Sequence, residues 1–164
     1  MKLQVEQAIQ QAGTHFPFAF ALPAKELGDV SAFPWKNEEV NIEGEYFHDG
    51  HRLVVIGTIH TAGMYECCRC LTAVPLERNE RFEERYVTDP DADSDALVYD
   101  GYEIDLTEVI RETLIIGEPY QVLCQDDCKG LCIHCGANLN TSPCQCDTFV
   151  ADPRLAVLQT LLKK

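Results

Sequence analysis

Val40, Ile42, Gly44 and Tyr46 alternate with Asn41, Glu43 and Glu45. That period of two marks a strand with one covered face and one wet face. "HDGH" at His48–His51 follows, its Asp-Gly step signalling a hairpin. "RLVVIGTIHTAGMYE" is then the return strand, and its β-branched density predicts burial on both faces near Val54–Ile56. Upstream, "HFPFAFAL" reads as a short strand, placed at an edge by Pro17. Downstream, Leu71 to Val87 reads as another strand bent near Pro75, and "LVYDGYEI" as one more. Between them "TDPDADSDA" is acidic, nearly free of apolar residues, and predicted to be an exposed loop.

Helical spacing occurs three times. Leu3, Val5, Ala8, Ile9 and Ala12 form a stripe ended by Gly13. "DLTEVIRETLIIG" has Asp105 and Glu108 at capping-box spacing, a stripe of Leu106, Val109, Ile110, Thr113 and Leu114, and Gly117 with Pro119 as a stop. "DPRLAVLQTLLKK" places Asp152 at the N-cap, Pro153 in the first turn and two lysines at the C-terminal end. The predicted fold class is α+β: an antiparallel sheet of four to six strands, a middle helix, a C-terminal cysteine-rich zinc-binding lobe and a terminal helix. The expected division is a sheet domain with helices over 1–119 and the lobe with its helix over 120–164, packed on the same unit.

Composition narrows this picture. A chain of 164 residues has room for a real hydrophobic core, so disulfides are not needed to rescue a tiny fold. No apolar run approaches the roughly 20 residues of a membrane helix, and "MKLQVEQAIQQAG" lacks the apolar core of a signal peptide. A cytoplasmic location, where thiols stay reduced, is therefore expected. Asp and Glu outnumber Lys and Arg by 27 to 13, for a net charge of −14. Such a chain is repelled by a bare phosphate backbone. Arg69, Arg78, Arg81 and Arg85 are the best local basic group, but Glu77, Glu80, Glu83 and Glu84 interleave with them, which predicts a solvated mixed-charge strand.

The chemistry lies in the cysteines. "CQDDCKGLCIHCGANLNTSPCQC" runs from Cys124 to Cys146 and contains six of the nine. An odd total argues against a disulfide framework. Cys132 and Cys135, followed at once by Gly136, suit a metal knuckle in which backbone N–H groups point at sulfur and glycine relieves the turn. Cys144 and Cys146 are the natural second pair, because "GANLNTSP" supplies the residues of a chain reversal. Zinc wants four thiolates near about 2.3 Å in a tetrahedron. Cys124, Cys128, Cys67 and Cys70 then compose a second zinc site that leaves Cys68 free. The rival is one site drawn differently from the six, with Cys67, Cys68 and Cys70 as ordinary thiols, so the expected cofactor is zinc at one site or two.

Other chemistries fit the chain less well. C-x3-C-x2-C at 128–135 is the spacing of radical iron–sulfur enzymes, which need a barrel of βα units too large for this chain. An electron-transfer iron–sulfur centre also takes four cysteines. A dithiol oxidoreductase wants a βαβ setting that is missing. His134 lies inside a knuckle; His48, His51 and His60 share one hairpin and His15 stands apart, with no carboxylate–His–nucleophile arrangement in view. No catalytic residue is assigned.

"CCRCL", "DLTEVIRETLII", "LCQDDCKGLCIHCGANLN", "CQC" and "DPRLAVLQTL" occur in the order seen in the YceD-like family, the large ribosomal RNA subunit accumulation proteins of bacteria and chloroplasts. The resemblance covers Val40 to the C-terminus, and "CKGLCIHCGANLN" is its most specific part. It implies a role in accumulation or processing of large-subunit ribosomal RNA, hence in ribosome biogenesis, and no established catalytic activity. Some members lack most of these cysteines, which makes the metal a scaffold. Cys68, inside the usual C-x-R-C, departs from the pattern.

The combined expectation is a non-enzymatic, zinc-stabilised factor acting through ribosome-assembly proteins or a basic ribosomal protein, with direct RNA binding disfavoured and no membrane. Lys129, His134, Asn138 and Asn140 are its candidate contact points, each equally readable as a turn residue or cap. The competing readings are a metal- or thiol-dependent RNA-processing enzyme and a generic zinc-dependent adaptor.

Overall fold

A computed structural model describes residues 1–146; the terminal helix expected from Asp152 lies outside the described residues. The chain forms two compact units, the first built from Met1–Tyr65 and Pro75–Tyr120, the second from Glu66–Val74 and the chain from Gln121 onward.

The elements in chain order are β1 (Lys2–Gln4), α1 (Glu6–Gln10), β2 (Phe16–Pro23), a 3-10 turn (Ala24–Leu27), β3 (Glu39–His48), β4 (Leu53–Glu66), β5 (Ala73–Val87), β6 (Leu97–Val98), β7 (Glu103–Asp105) and α2 (Thr107–Ile116). Five strands make one sheet in the order β2-β3-β4-β5-β6, with β2 at the expected edge. The sheet is mixed, not purely antiparallel. The acidic loop brings the chain back beside β5, so that Leu97 lies opposite Tyr86 and runs parallel to it. "LVYDGYEI" is two strands rather than one because Gly101, at φ +90°, and Asp100, whose carboxylate accepts the N–H groups of Tyr102 and Glu103, turn the chain between them.

β1 replaces the first turns of the expected N-terminal helix. Leu3 pairs with Ile104 of β7, and the Met1 amino group holds Asp105 at 3.0 Å and Thr107 Oγ1 at 2.6 Å. Strand pairing and burial of Leu3 outweigh the local helical spacing, as tertiary context commonly does. The capping box on α2 does not close either. Asp105 Oδ1 accepts the N–H and the hydroxyl of Thr107, while Glu108 pairs forward with Arg111.

The β3–β4 hairpin forms where its Asp-Gly step predicts. Gly50 takes φ +102°, and Asp49 Oδ1 accepts the N–H groups of His51 and Arg52, each at 2.8 Å. Partial burial pushes the Asp49 carboxyl upward, but those two N–H groups and the Arg52 guanidinium outweigh it and hold it down at about 2. On β4 the alternating residues Leu53, Val55 and Ile59 are buried, and Val54 joins them from the other face, whereas Ile56 is exposed.

The core of this unit gathers the inward residues of β3, β4 and β5 with Trp35, Leu27, Leu106, Ile110 and Leu114. Gly44 and Gly57 face each other across β3 and β4. A Cβ on Gly57 would stand 2.7 Å from the Phe82 ring, so the glycine is what lets that ring lie across the sheet. Of the arginines on β5, Arg78 points inward and is only 4% exposed. Its guanidinium donates to Glu118 at 2.6 Å, to Glu80 at 2.8 Å and to the Leu114 carbonyl at 3.0 Å. Glu118 Oε1 also accepts the Trp35 indole N–H at 2.5 Å. Three apolar segments are thus tied by one carboxylate.

Glu118→Ala leaves the Trp35 indole N–H without its partner and strips the buried Arg78 guanidinium of one of its two carboxylates. The expected cost is about 3 kcal/mol, the range for breaking one side of a buried pair, read as a lowered midpoint in chemical denaturation. Gly57→Ala is expected to lose about 1–3 kcal/mol by overpacking against Phe82.

Candidate metal centres

Among the described residues of the second unit, the buried cluster consists of Cys67, Cys70 and Cys128, flanked by Val74, Leu123 and Leu131. So small a cluster orders these residues little by hydrophobic burial, which gives weight to the arrangement of their sulfurs.

All nine cysteines are free thiols. Eight of them fall into two groups of four, Cys67 with Cys70, Cys124 and Cys128, and Cys132 with Cys135, Cys144 and Cys146. Within each group every sulfur lies within 4.8 Å of the others, and each group could hold a metal ion. Four sulfurs at about 2.3 Å from a central ion stand about 3.8 Å apart along each tetrahedral edge. Cys67 and Cys128 are separated by 3.8 Å and Cys70 and Cys124 by 3.5 Å. These are the dimensions of a shared ion, and the donor set fits one. The expected ligands are thus the residues the fold brings together; Cys68 is exposed and belongs to neither group.

Two knuckles of the same construction supply half of the donors. In the first, the Leu71 N–H donates to the Cys67 carbonyl at 2.9 Å; in the second, the Gly136 N–H donates to the Cys132 carbonyl at 2.9 Å. Both closing residues are left-handed, Leu71 at φ +60° and Gly136 at φ +72°. Glycine takes that conformation freely, whereas a leucine is strained there. The Leu71 side chain is 61% exposed, so packing does not account for it.

The knuckle amides set the charge. Burial pushes the Cys67 thiol up, but the N–H groups of Arg69, Cys124 and Cys70 outweigh it and bring it to about 6. For Cys132 the N–H groups of Cys135 and His134, aided by Cys144, do the same, again to about 6. The Thr72 hydroxyl, 3.2 Å from Cys70 Sγ, lowers that thiol as well. The opposing residues move the other way. Cys124 is pushed up to about 12, first by its hydrogen bond to Cys70 and then by burial. Cys146 is pushed up to about 12 by Cys135 and then by burial. Each group thus carries thiolates that forbid ionisation of their neighbours, the condition that a central cation relieves.

The loop between Cys135 and Cys144 folds back on the first group. Asn140 Nδ2 donates to Cys128 Sγ at 3.3 Å, and its Oδ1 accepts the Lys129 N–H at 2.8 Å. Asn138 Oδ1 accepts the Asn140 N–H at 3.0 Å. Leu131 bridges to Asn138, and Leu131 N–H donates to the Arg69 carbonyl at 3.1 Å. Arg69 in turn donates to the Cys128 carbonyl at 2.9 Å. Asn138 and Asn140, candidate contact points equally readable as turn residues or caps, thus support the lobe through these hydrogen bonds. Arg69, expected among the basic residues of a strand, ties the first knuckle to the segment bearing Cys128. Thr72 carried no signal in the sequence.

His134 is exposed inside the second knuckle. His15 pairs with Glu45 at 3.0 Å, and His60 lies 2.5 Å from Asn79 Oδ1. A depression of about 640 Å³ in the first unit is an open trough on the sheet lined by Ala19, Glu43, Glu45, Ile56, Thr58 and Arg81.

The model of a known family, described as large ribosomal RNA subunit accumulation protein YceD, matches residues 55–162. That span includes both cysteine groups and α2. The chain belongs to the YceD family. Among its relatives, an uncharacterized protein of Mycobacterium leprae is 37% identical over 98 residues, 56% of this chain and 45% of that protein. The uncharacterized protein YlbN of Bacillus subtilis is 24% identical over 168 residues, covering 100% of this chain and 98% of its own length. The chloroplastic large ribosomal RNA subunit accumulation protein YCED homolog 1 of Zea mays is 47% identical over 45 residues, 27% of this chain and 15% of that protein. The chain thus spans less than half of the mycobacterial relative it matches and nearly the whole of the Bacillus one. No solved structure matches.

Replacing the closing residues tests the knuckles. Gly136→Ala is expected to cost about 1–2 kcal/mol, the left-handed penalty of an L side chain. Leu71→Gly relieves the same strain, partly offset by glycine's chain entropy, and is expected to cost nothing or to stabilise. Denaturant midpoints of the two variants check both.

Proposed function

We propose that this protein acts in the accumulation of large-subunit ribosomal RNA, and so in large-subunit biogenesis, as a non-enzymatic factor whose cysteine lobe is held by zinc. The family match over residues 55–162 carries the biological half of this reading, because it spans the lobe and the helix before it. The maize relative, named for accumulation of that RNA, supports it.

The donor chemistry supports the rest. Four thiolates at tetrahedral spacing suit zinc and leave no open coordination position for a substrate. The zinc then supplies electrostatic neutralisation and fixed geometry, while the chain's own amides, Thr72 and Asn140 orient the sulfurs. With a net charge of −14, which two four-thiolate centres deepen, the chain is suited to basic protein surfaces rather than to bare phosphate. Its partners in this reading are assembly proteins or a basic ribosomal protein, met in the cytoplasm.

Purified under reducing conditions, the protein should contain two zinc ions per chain and no visible absorbance. Cys68→Ser should keep both ions; Cys128→Ser should not. Iron with a visible band would replace the zinc assignment by an iron–sulfur one.

In cells lacking the protein, large-subunit ribosomal RNA should fall relative to small-subunit RNA, and the Cys128→Ser chain should fail to restore it. An unchanged ratio would overturn the ribosomal reading. A tagged chain should retain its partner proteins after ribonuclease treatment; loss of all of them would place RNA at the contact.

A further inference from the structure

The two cysteine groups differ in a way that their shared donor set does not require. In the first, Cys67, Cys70 and Cys128 are buried and only Cys124 is exposed; in the second only Cys132 is buried. The first joins residues far apart in the chain, 67–70 with 124–128, whereas the second closes within 132–146. Loop-closure entropy makes the second the easier to assemble, and exposure makes it the easier to strip.

The segment that the second group closes is the one that supports the first. Cys135 and Cys144 bound the loop that contains Asn138 and Asn140. Asn140 spans the two ends of the neighbouring Cys128–Lys129 peptide, its Nδ2 on the Cys128 sulfur and its Oδ1 on the Lys129 N–H. It is held there by Asn138 and by the Leu139 N–H on the Gly130 carbonyl at 2.9 Å. Gly130 itself sits at φ +74° against the first knuckle, where a Cβ would lie 3.1 Å from the Arg69 carbonyl.

We propose that the two metal centres are coupled, with Asn140 as the positioning residue that transmits occupancy of the outer centre (Cys132, Cys135, Cys144, Cys146) to the inner one (Cys67, Cys70, Cys124, Cys128). This rests on the reading of both groups as metal sites. Closing the outer centre fixes the 136–143 loop; the fixed loop delivers an amide N–H to the Cys128 thiolate and holds the peptide that follows it. The inner centre therefore binds its ion more tightly when the outer one is filled, and by linkage the reverse holds equally. Loss of the exposed ion loosens the buried one, so the lobe answers metal withdrawal as a unit.

The test is titration of the reduced apo chain with zinc, followed by native mass spectrometry, with cobalt absorbance as a second readout. Coupling predicts that the wild type passes from no ion to two with the one-ion species well below its statistical share. Removing a hydrogen bond to a charged acceptor costs on the order of tenfold in a binding constant, so Asn140→Ala should weaken the inner centre about tenfold and make the one-ion species prominent. Asn140→Asp keeps the acceptor for Lys129 but loses the donor to sulfur, and should weaken it at least as much. The double variant Cys144→Ser/Cys146→Ser, which lacks the outer centre, should show the same weakened inner site. Adding Asn140→Ala to that background should then change little, which a merely structural role for Asn140 would not produce. A statistical one-ion population in the wild type, or unchanged inner affinity in both Asn140 variants, overturns the coupling while leaving two sites standing. A wild type that takes up no metal overturns the metal reading itself, and this inference with it.

Discussion

Four sulfurs within 4.8 Å of one another cannot all ionise without a cation between them. This constraint governs the second unit. Its backbone makes two commitments toward that cation. The amides of the knuckles draw Cys67 and Cys132 down to about 6, and the chain sets Cys124 and Cys146 opposite them, each pushed up to about 12 by its partner thiol. Among the described residues the lobe buries Cys67, Cys70, Cys128 and Cys132, with Val74, Leu123 and Leu131 alongside, and gains little from water exclusion. A cation held by these groups, which could bind one, would resolve the charge conflict and order the described part of the lobe in the same step.

The first unit rests on the opposite principle. Its core is an ordinary apolar layer in which Arg78 and Trp35 are paired, although the buried Tyr86 hydroxyl has no partner. Arg78 has Glu118, Glu80 and a carbonyl, and Trp35 shares Glu118. Stability there does not wait on a ligand. The difference predicts which half of the protein responds to redox state or metal supply, since a thiolate centre is open to both and a buried guanidinium–carboxylate pair to neither.

Period-two patterning located β3, an aromatic-rich run located β2 and β-branched density located β4, while the Asp-Gly step located the tight turn between β3 and β4. Local patterning failed where pairing between distant segments decides the outcome. Leu3 has helical neighbours in sequence but a strand partner in Ile104. The parallel course of β6 is set by the return of the acidic loop, which no residue of β6 itself announces. At the metal centres, spacing pointed to both knuckles, since C-x2-C is a local geometry. It left open whether Cys67 and Cys70 meet Cys124 and Cys128, because contact between segments so far apart is not encoded in spacing. The supporting groups were hidden for another reason. An Asn whose amide bridges a thiolate and a peptide N–H looks, in sequence, like any turn residue.

The arginines carry the argument about partners one step further. Sequence offered Arg69, Arg78, Arg81 and Arg85 as the best cationic group. The fold spends the buried Arg78 on two partly buried carboxylates and Arg69 on the carbonyl of Cys128, and it sets Arg85 3.0 Å from Glu83. Little of the apparent basic group is therefore free to neutralise phosphate, while the acidic excess stays largely on the surface. A protein so charged approaches ribosomal RNA against its own field unless basic protein lies between. For a member of a family described by accumulation of that RNA, the engagement of Arg69, Arg78 and Arg85 within the protein is what supports the proposed protein contacts.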